Sequence, residues 1–367
     1  LAALFCGEER YLLIDEPTNH LDARGRQAVA EYLGRKRGFL LVSHDRAFLD
    51  VCVDHVMALN RTGVEVQSGN FSSWWENRRR RDAFEQARNE QLRKEVGRLR
   101  QAAAQTSRWS DKVEATKKGT RTAGLRPDRG YIGHKSAKMM QRAKSIEDRR
   151  QRALEEKEGL LKDLERAEAL KLRPLAARGR LLDARGLSLF YGERRVCGPL
   201  DFRLEPGQRI ALDGGNGCGK STLLKFLLGE EITSEGTLVK LSGLTVSYVP
   251  QDTSHLRGRL RDYIQQSGVE ETLLLAILRK LDFPREQFEK NMEDWSAGQR
   301  KKVLIARSLC ESAHLYIWDE PLNYIDVWSR MQIEELLLAF RPTMLFVEHD
   351  ETFRQRIASE TITISCG

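Results

Sequence analysis

The segment GGNGCGKST (214–222) sets glycines, a lysine and two hydroxyls at G-x-x-x-x-G-K-[ST] spacing. In that pattern backbone N–H groups close around phosphates. It follows the apolar run Ile210-Ala211-Leu212 and leads into TLLKFLLG, so a strand–loop–helix setting is predicted. Gly214, Asn216, Gly217, Gly219 and Thr222 form the cradle, Lys220 pairs with the β- and γ-phosphates, and Ser221 ligates Mg²⁺. The helix N-terminus adds positive potential. The chemistry implied is binding of ATP with Mg²⁺.

Other residues extend that chemistry to hydrolysis. Asp319 ends the apolar run Leu315-Tyr316-Ile317-Trp318, where a carboxylate holds the Mg²⁺ shell. Glu320 beside it is placed to polarise water as general base. His349 ends the next apolar run, Met344 to Val347, within reach of a γ-phosphate. Gln251, after Tyr248-Val249-Pro250, is placed to sense Mg²⁺ and water. In WSAGQRKK (295–302) Ser296, Gly298 and Gln299 make a small-residue turn before a helix, a second N-terminus suited to phosphate. Tyr191 either stacks on adenine or is an ordinary core or surface aromatic.

The elements that position these residues occur twice. YLLIDEPTNHLD (11–22) reappears as LYIWDEPLNYID (315–326), with Asp15, Glu16, Pro17, Asn19 and Asp22 matching Asp319, Glu320, Pro321, Asn323 and Asp326. VSHD (42–45) recurs as VEHD (347–350). Each copy reads as strand, turn, helix, strand, turn, the signature of parallel α/β units. Asp15 is thus a further metal ligand, and Glu16 and His44 further catalytic residues, of a first nucleotide domain. Only 14 residues precede Asp15, whereas Lys220 precedes Asp319 by 99, and the chain opens on Leu1. The first domain (1–70) is therefore read as a remnant and the chain as a fragment, with a complete domain at 181–367.

Between the copies (71–180) the composition changes. Residues 76–152 hold 23 Lys/Arg and 10 Asp/Glu, a surplus of 13 in a chain whose net charge is +8, so the remainder is mildly acidic. Such concentration presents a basic segment to a polyanion. From Phe71 to Thr116 there is no proline, and Leu92, Val96, Leu99 and Ala103 follow a 4-3-4 spacing. A second proline-free stretch, Lys135 to Leu172, carries Ile146, Ala153, Leu160 and Ala167 at sevens. Both fit a two-helix antiparallel coiled coil, an arm on the order of 60 Å long at 1.5 Å per residue. Lys117 to His134, with Gly119, Gly124, Pro127, Gly130 and Gly133, is its loop. Trp109 and Tyr131 either stack on unpaired bases or pack between the helices.

The composition sets outer bounds. No apolar run approaches the roughly 18 residues of a membrane span, and no signal peptide opens the chain, so the expectation is a cytoplasmic protein. Cys6, Cys52, Cys197, Cys218, Cys310 and Cys366 form no C-x-x-C pair and read as reduced.

Over residues 181–367 the P-loop, Gln251, the S-A-G-Q turn, Asp319-Glu320 and His349 resemble those of ATP-binding cassette (ABC) ATPases. The duplication, the charged helical linker and the missing membrane span resemble the ABC-F branch, which binds ribosomes. WSDKVE (109–114) and GLRPDRGYIGHKSAKMMQRAKSIE (124–147) look like the arm of its resistance proteins against lincosamides, streptogramin A and pleuromutilins. The fold class implied is α/β, with P-loop ABC-type nucleotide-binding domains, one partial and one complete, joined by the arm. The resemblance further implies that ATP clamps the domains together and that the arm reaches rRNA and P-site tRNA to dislodge a drug. Two departures are S-A-G-Q, where many relatives have S-G-G-Q, and EPLNYID (320–326) in place of the EPTNHLD form. In this family each nucleotide lies between one domain's P-loop and the other's signature turn. The 367 residues are thus expected to bind ATP with weak turnover, or to pair as head-to-tail homodimers. Rival readings are a housekeeping translation factor, the ATPase subunit of a transporter and a DNA-binding ATPase of the same branch.

Overall fold

The computed structural model describes residues 11–18, 21, 23–36, 38–60, 63–117 and 174–365. Asn19, Asp22, Tyr131, the arm loop from 118 and the stretch 135–172 lie outside them, as does the side chain of Trp109. The chain divides into two compact units: residues 1–72 with 167–367, and residues 73–166. The first and second repeat copies therefore share one unit.

The first copy runs β1 (Leu12–Asp15), α1 (Ala23–Leu33), β2 (Phe39–Val42) and α2 (Arg46–Cys52). The hairpin β3 (His55–Asn60) and β4 (Gly63–Ser68) follows, then α3 (Phe71–Lys117). β1 and β2 pair in parallel, Leu12 opposite Phe39 and Asp15 opposite Val42. Helix α3 is continuous for 47 residues, as the proline-free run predicts. Val96 of the proposed seam is buried.

The complete copy opens with an antiparallel layer, β5 (Leu182–Tyr191) and β6 (Arg194–Leu204), completed later by β8 (Thr233–Lys240) in the order β6-β5-β8. β7 (Arg209–Asp213) and α4 (Lys220–Leu228) follow β6 and flank the P-loop. After β8 come β9 (Val246–Val249), α5 (Leu260–Ser267), α6 (Glu271–Lys280), α7 (Ala297–Cys310) and β10 (Leu315–Asp319). The copy closes with α8 (Val327–Phe340), β11 (Met344–Val347), α9 (Glu351–Ile357) and β12 (Glu360–Thr363). A parallel five-stranded sheet has the order β12-β7-β11-β10-β9.

Both faces of that sheet are covered, which is why β10 and β11 are apolar without alternation. Successive side chains of a strand point to opposite faces. Leu315 and Ile317 accordingly join one core cluster with Leu223, Leu224 and Leu227 of α4. Tyr316 and Trp318 join the other, with Val303, Leu304 and Leu337 from α7 and α8. In the first copy Leu12 and Ile14 are buried against Val29, Leu33 and Phe48, while Leu13, Leu40 and Val42 face outward. Among the described residues no helix is long and apolar enough to cross a membrane. Cys52, Cys197, Cys218 and Cys310 form no disulfide among the described residues.

Candidate functional site

The P-loop joins the end of β7 to the start of α4, with Gly214, Asn216, Gly217 and Gly219 turning between them. Gly219 is the N-cap of α4 at φ 91°, a left-handed backbone that an L side chain occupies only at a cost. A Cβ there would also lie 2.8 Å from the Cβ of Cys197. Glycine is thus required twice over. Lys220 curls over the loop, its Nζ donating to the carbonyls of Gly214 (2.6 Å) and Gly215 (2.9 Å). Thr222 is buried in the first turn of α4.

Asp319, at the end of β10, is 3% exposed and is hydrogen-bonded by Ser221. Burial raises its pKa, and the Ser221 bond and the charges of Lys301 and Lys220 oppose that rise. Its Oδ1 is buried without a hydrogen-bond partner among the described residues. A buried carboxylate oxygen left open costs free energy unless a cation or donor meets it. Ser221, Asp319 and Gln251 therefore fit Mg²⁺, a hard ion that takes oxygen ligands.

Glu320 sits at φ 45°, with its N–H donating to Val347 O at 2.9 Å. This left-handed backbone is unusual for a non-glycine residue and is a kind of strain found at functional sites. It swings the side chain into a polar ring. Oε2 accepts from Gln251 Nε2 (2.8 Å) and Asn323 Nδ2 (2.6 Å), and His349 Nε2 lies 3.6 Å from Oε1. Burial pulls the carboxyl pKa up, but His349, Asn323 and Gln251 outweigh that and hold it below its ordinary value. Glu320 is thus an anion at neutral pH, fixed in direction: a weak base but a well-aimed one.

Ser296 caps helix α7: its hydroxyl accepts from the Gln299 N–H while the Gln299 side chain accepts from the Ser296 N–H, a capping box. Gly298 passes so close to the Tyr324 carbonyl that any side chain would collide with it. Ala297, where many relatives of the family pattern carry glycine, is simply the first residue of the helix. The exposed Ser296 turn lies outside the ring around Glu320. Tyr191, at the β5–β6 turn, is 55% exposed, which removes the core alternative and leaves a free aromatic face.

In the first copy Asp15 ends β1, Glu16 again has φ 45°, and its N–H donates to Val42 O at 2.8 Å. His44 Nε2 lies 3.5 Å from Glu16 Oε1. Burial raises the Glu16 pKa and lowers that of His44, so both groups are pushed toward neutrality.

Lys301 was missed by motif reading. Its side chain is 1% exposed, and Nζ donates to the carbonyls of Pro250 (2.8 Å), Gln251 (3.2 Å) and Asp319 (3.3 Å). Burial lowers its pKa to about 8. It ties α7 to the loop carrying Gln251 and to the end of β10. The signal available in sequence was a Lys301-Lys302 pair entering the apolar run Val303 to Ala306.

Residues 197–323 match the family model described as "ABC transporter". The chain is 29% identical over 361 residues to the ribosome protection protein VmlR of Bacillus subtilis, covering 96% of this chain and 64% of that protein. It is 28% identical to the ATP-binding protein Uup of Caulobacter vibrioides (99% and 57%). The energy-dependent translational throttle protein EttA of Haemophilus influenzae is 26% identical (99% and 61%). The chain thus spans less than two thirds of the length of these relatives. Among solved structures, RNase-L Inhibitor (TM-score 0.57, 21% identity, 100% of this chain and 60% of that one) shares the fold. An archaeal ribosome recycling factor, solved with a ribosomal stalk protein, does so at TM-score 0.58 and 22% identity, covering the same shares.

Proposed function

We propose that the chain is an ABC-F ATP-binding cassette ATPase that binds Mg·ATP and acts on the ribosome, dislodging drugs from the peptidyl-transferase centre. The observation that supports the nucleotide half is the Asp319–Glu320 pair, one carboxylate open to a cation and the other ringed by Gln251, Asn323 and His349. The P-loop amides and Lys220 take the phosphates, and Ser221, Asp319 and Gln251 hold Mg²⁺. Mg²⁺ held by these residues would neutralise charge on the phosphate oxygens. Glu320 would orient a water toward the γ-phosphorus and receive its proton as the new P–O bond forms and the bond to the β–γ bridging oxygen breaks, releasing ADP, while His349 contacts the γ-phosphate. Tyr191 offers its exposed ring to adenine. Ser296, Gly298 and Gln299 present their helix N-terminus to a nucleotide held by a facing P-loop.

The ribosomal half rests on the surplus of 13 positive charges in 76–152 and on relatives named for ribosome protection and translational control. Lys and Arg along the arm neutralise rRNA phosphates in the cytoplasm, where ribosomes work. Co-sedimentation with ribosomes in ATP tests the partner. Susceptibility of cells carrying the gene, compared with a deletion of 117–134, tests the drug. Resistance lost with the deletion is the expected result, and susceptibility indifferent to the gene itself defeats the resistance reading. The similarity to EttA favours a second reading, a translation factor. That reading keeps ribosome binding without any drug effect.

A further inference from the structure

The turn that carries His349 is held from three sides. Glu348 Oε1 accepts from the N–H of His349 (2.7 Å) and of Asp350 (3.2 Å), and its Oε2 accepts from Leu322 N (3.0 Å). These contacts lie within the complete copy. The other two sides belong to the first copy. Arg26 of α1 donates through Nη1 to the His349 carbonyl at 2.7 Å and also to Asp45 Oδ2 at 2.6 Å. Arg46 of α2 is hydrogen-bonded to Glu334, which is fully buried, and lies 3.8 Å from Asp350. Arg356 completes the set with a 2.8 Å bond to Glu334.

The repeat shows which of these contacts is special. Arg26 corresponds to Arg330, and each makes the same pair of bonds within its own copy. Arg26 reaches Leu21 O and Asp45; Arg330 reaches Ile325 O and Asp350. The bond from Arg26 to His349 O crosses between the copies. The charge of Arg330 in turn acts on Glu16 and His44. The contact of Arg26 across the copies is thus a bond to the backbone of the turn that carries His349. In Arg26 the guanidinium fork holds Leu21 O through Nε and both Asp45 and His349 O through Nη1, a fixed arrangement that the single ammonium of a lysine cannot reproduce.

We propose that Arg26 and Arg46 are positioning residues for His349: the first copy fixes the γ-phosphate-contacting turn of the complete copy. This rests on the reading of His349 given above. An arginine serving only its own copy would need Asp45 alone, and Arg26→Lys separates the two roles by keeping a cation beside Asp45 while losing the fork.

Hydrogen exchange on the full chain, with and without Mg·ATP, tests the proposal. Without nucleotide, Arg26→Lys and Arg46→Lys are expected to speed exchange at 347–353 by about tenfold, with 315–319 unchanged. With Mg·ATP, the protection of 347–353 seen in the parent is expected to be lost in both variants while that of 214–222 persists. Exchange at 347–353 equal to the parent's in Arg26→Lys overturns the proposal. Should the parent show no response to Mg·ATP at either segment, the nucleotide reading fails instead, and the nucleotide-free comparison still decides the positioning role. Should Arg26→Lys unfold, Arg26→Gln, whose single amide nitrogen lacks both the fork and the charge, replaces it under the same criteria. Where hydrolysis is measured, the expected split is kcat down about tenfold at unchanged KM.

Discussion

The two copies of the D-E-P turn share a backbone and differ in electrostatics. Glu16 and Glu320 both stand at φ 45°, both donate to the residue ending the neighbouring strand, and both face a histidine at 3.5 and 3.6 Å. Yet burial drives the Glu16 carboxyl above its ordinary pKa, whereas the polar ring around Glu320 holds it below. The geometry comes from the local strand-and-turn sequence, which the repeat preserves. The lowering at Glu320 comes first from His349, then from Asn323 and Gln251, and of these Gln251 lies outside the repeated motif. A family motif can thus fix the shape of a site while its surroundings set the direction in which the carboxyl pKa moves.

The largest test of this contrast uses β1 and β10. Ile317 is fully buried and its counterpart Leu13 is 71% exposed. Ile317→Asp is expected to cost more than about 4 kcal/mol, since it buries an unpaired carboxylate. Leu13→Asp should change stability by less than about 0.5 kcal/mol. Equal costs in urea melts would break the comparison.

Next comes the nucleotide. Lys220→Ala is expected to weaken ATP binding by about 100-fold, roughly 3 kcal/mol for a charge-assisted contact. Asp15→Ala should leave affinity within about twofold. Titration with a fluorescent ATP analogue checks both, and a loss in Asp15→Ala would mean that the first copy holds nucleotide too.

The smallest effect is one of sign. A raised carboxyl pKa, as at Glu16, lends stability below the ordinary carboxylate range that is lost as pH climbs through the raised value. A lowered one, as at Glu320, lends stability above that range that is lost as pH falls through the lowered value. At pH 7 Glu16→Gln should therefore stabilise and Glu320→Gln destabilise, each on the order of 1 kcal/mol. The Glu16 difference should fade once pH falls below the ordinary carboxylate range, while the Glu320 difference persists down to its lowered value. Melts of the two variants at pH 7 and pH 3 check this, and matching signs at pH 7 would show that the two sites are electrostatically alike.

Much of the complete copy was legible because its signals are local. The P-loop, Asp319, Glu320 and His349 each sit at the end of a short apolar run, and a fully covered parallel sheet makes such runs. The proline-free stretch likewise gave α3 its length. Tyr191 was not decidable, since an aromatic beside a glycine serves a core or a surface equally, and only the hairpin turn exposes it. Lys301 escaped because a lysine in a helix normally reads as a solvated face. Its burial depends on the Pro250 and Gln251 carbonyls 50 positions away. Arg26 escaped for the same reason on a longer scale, its acceptor lying 323 positions down the chain.

The outward face of β1 and β2 has a practical consequence. In the complete copy the matching residues Ile317, Leu345 and Val347 lie under α4 and the antiparallel layer. Leu13, Leu40 and Val42 meet solvent instead. An uncovered apolar stripe on a two-stranded sheet invites self-association, and a net charge of +8 opposes it by mutual repulsion. Colloidal behaviour of the purified polypeptide then becomes a contest between the two. Sulfate, which screens charge and strengthens burial together, tips that contest toward precipitation, and dilute, low-salt buffer is where the chain stays dispersed.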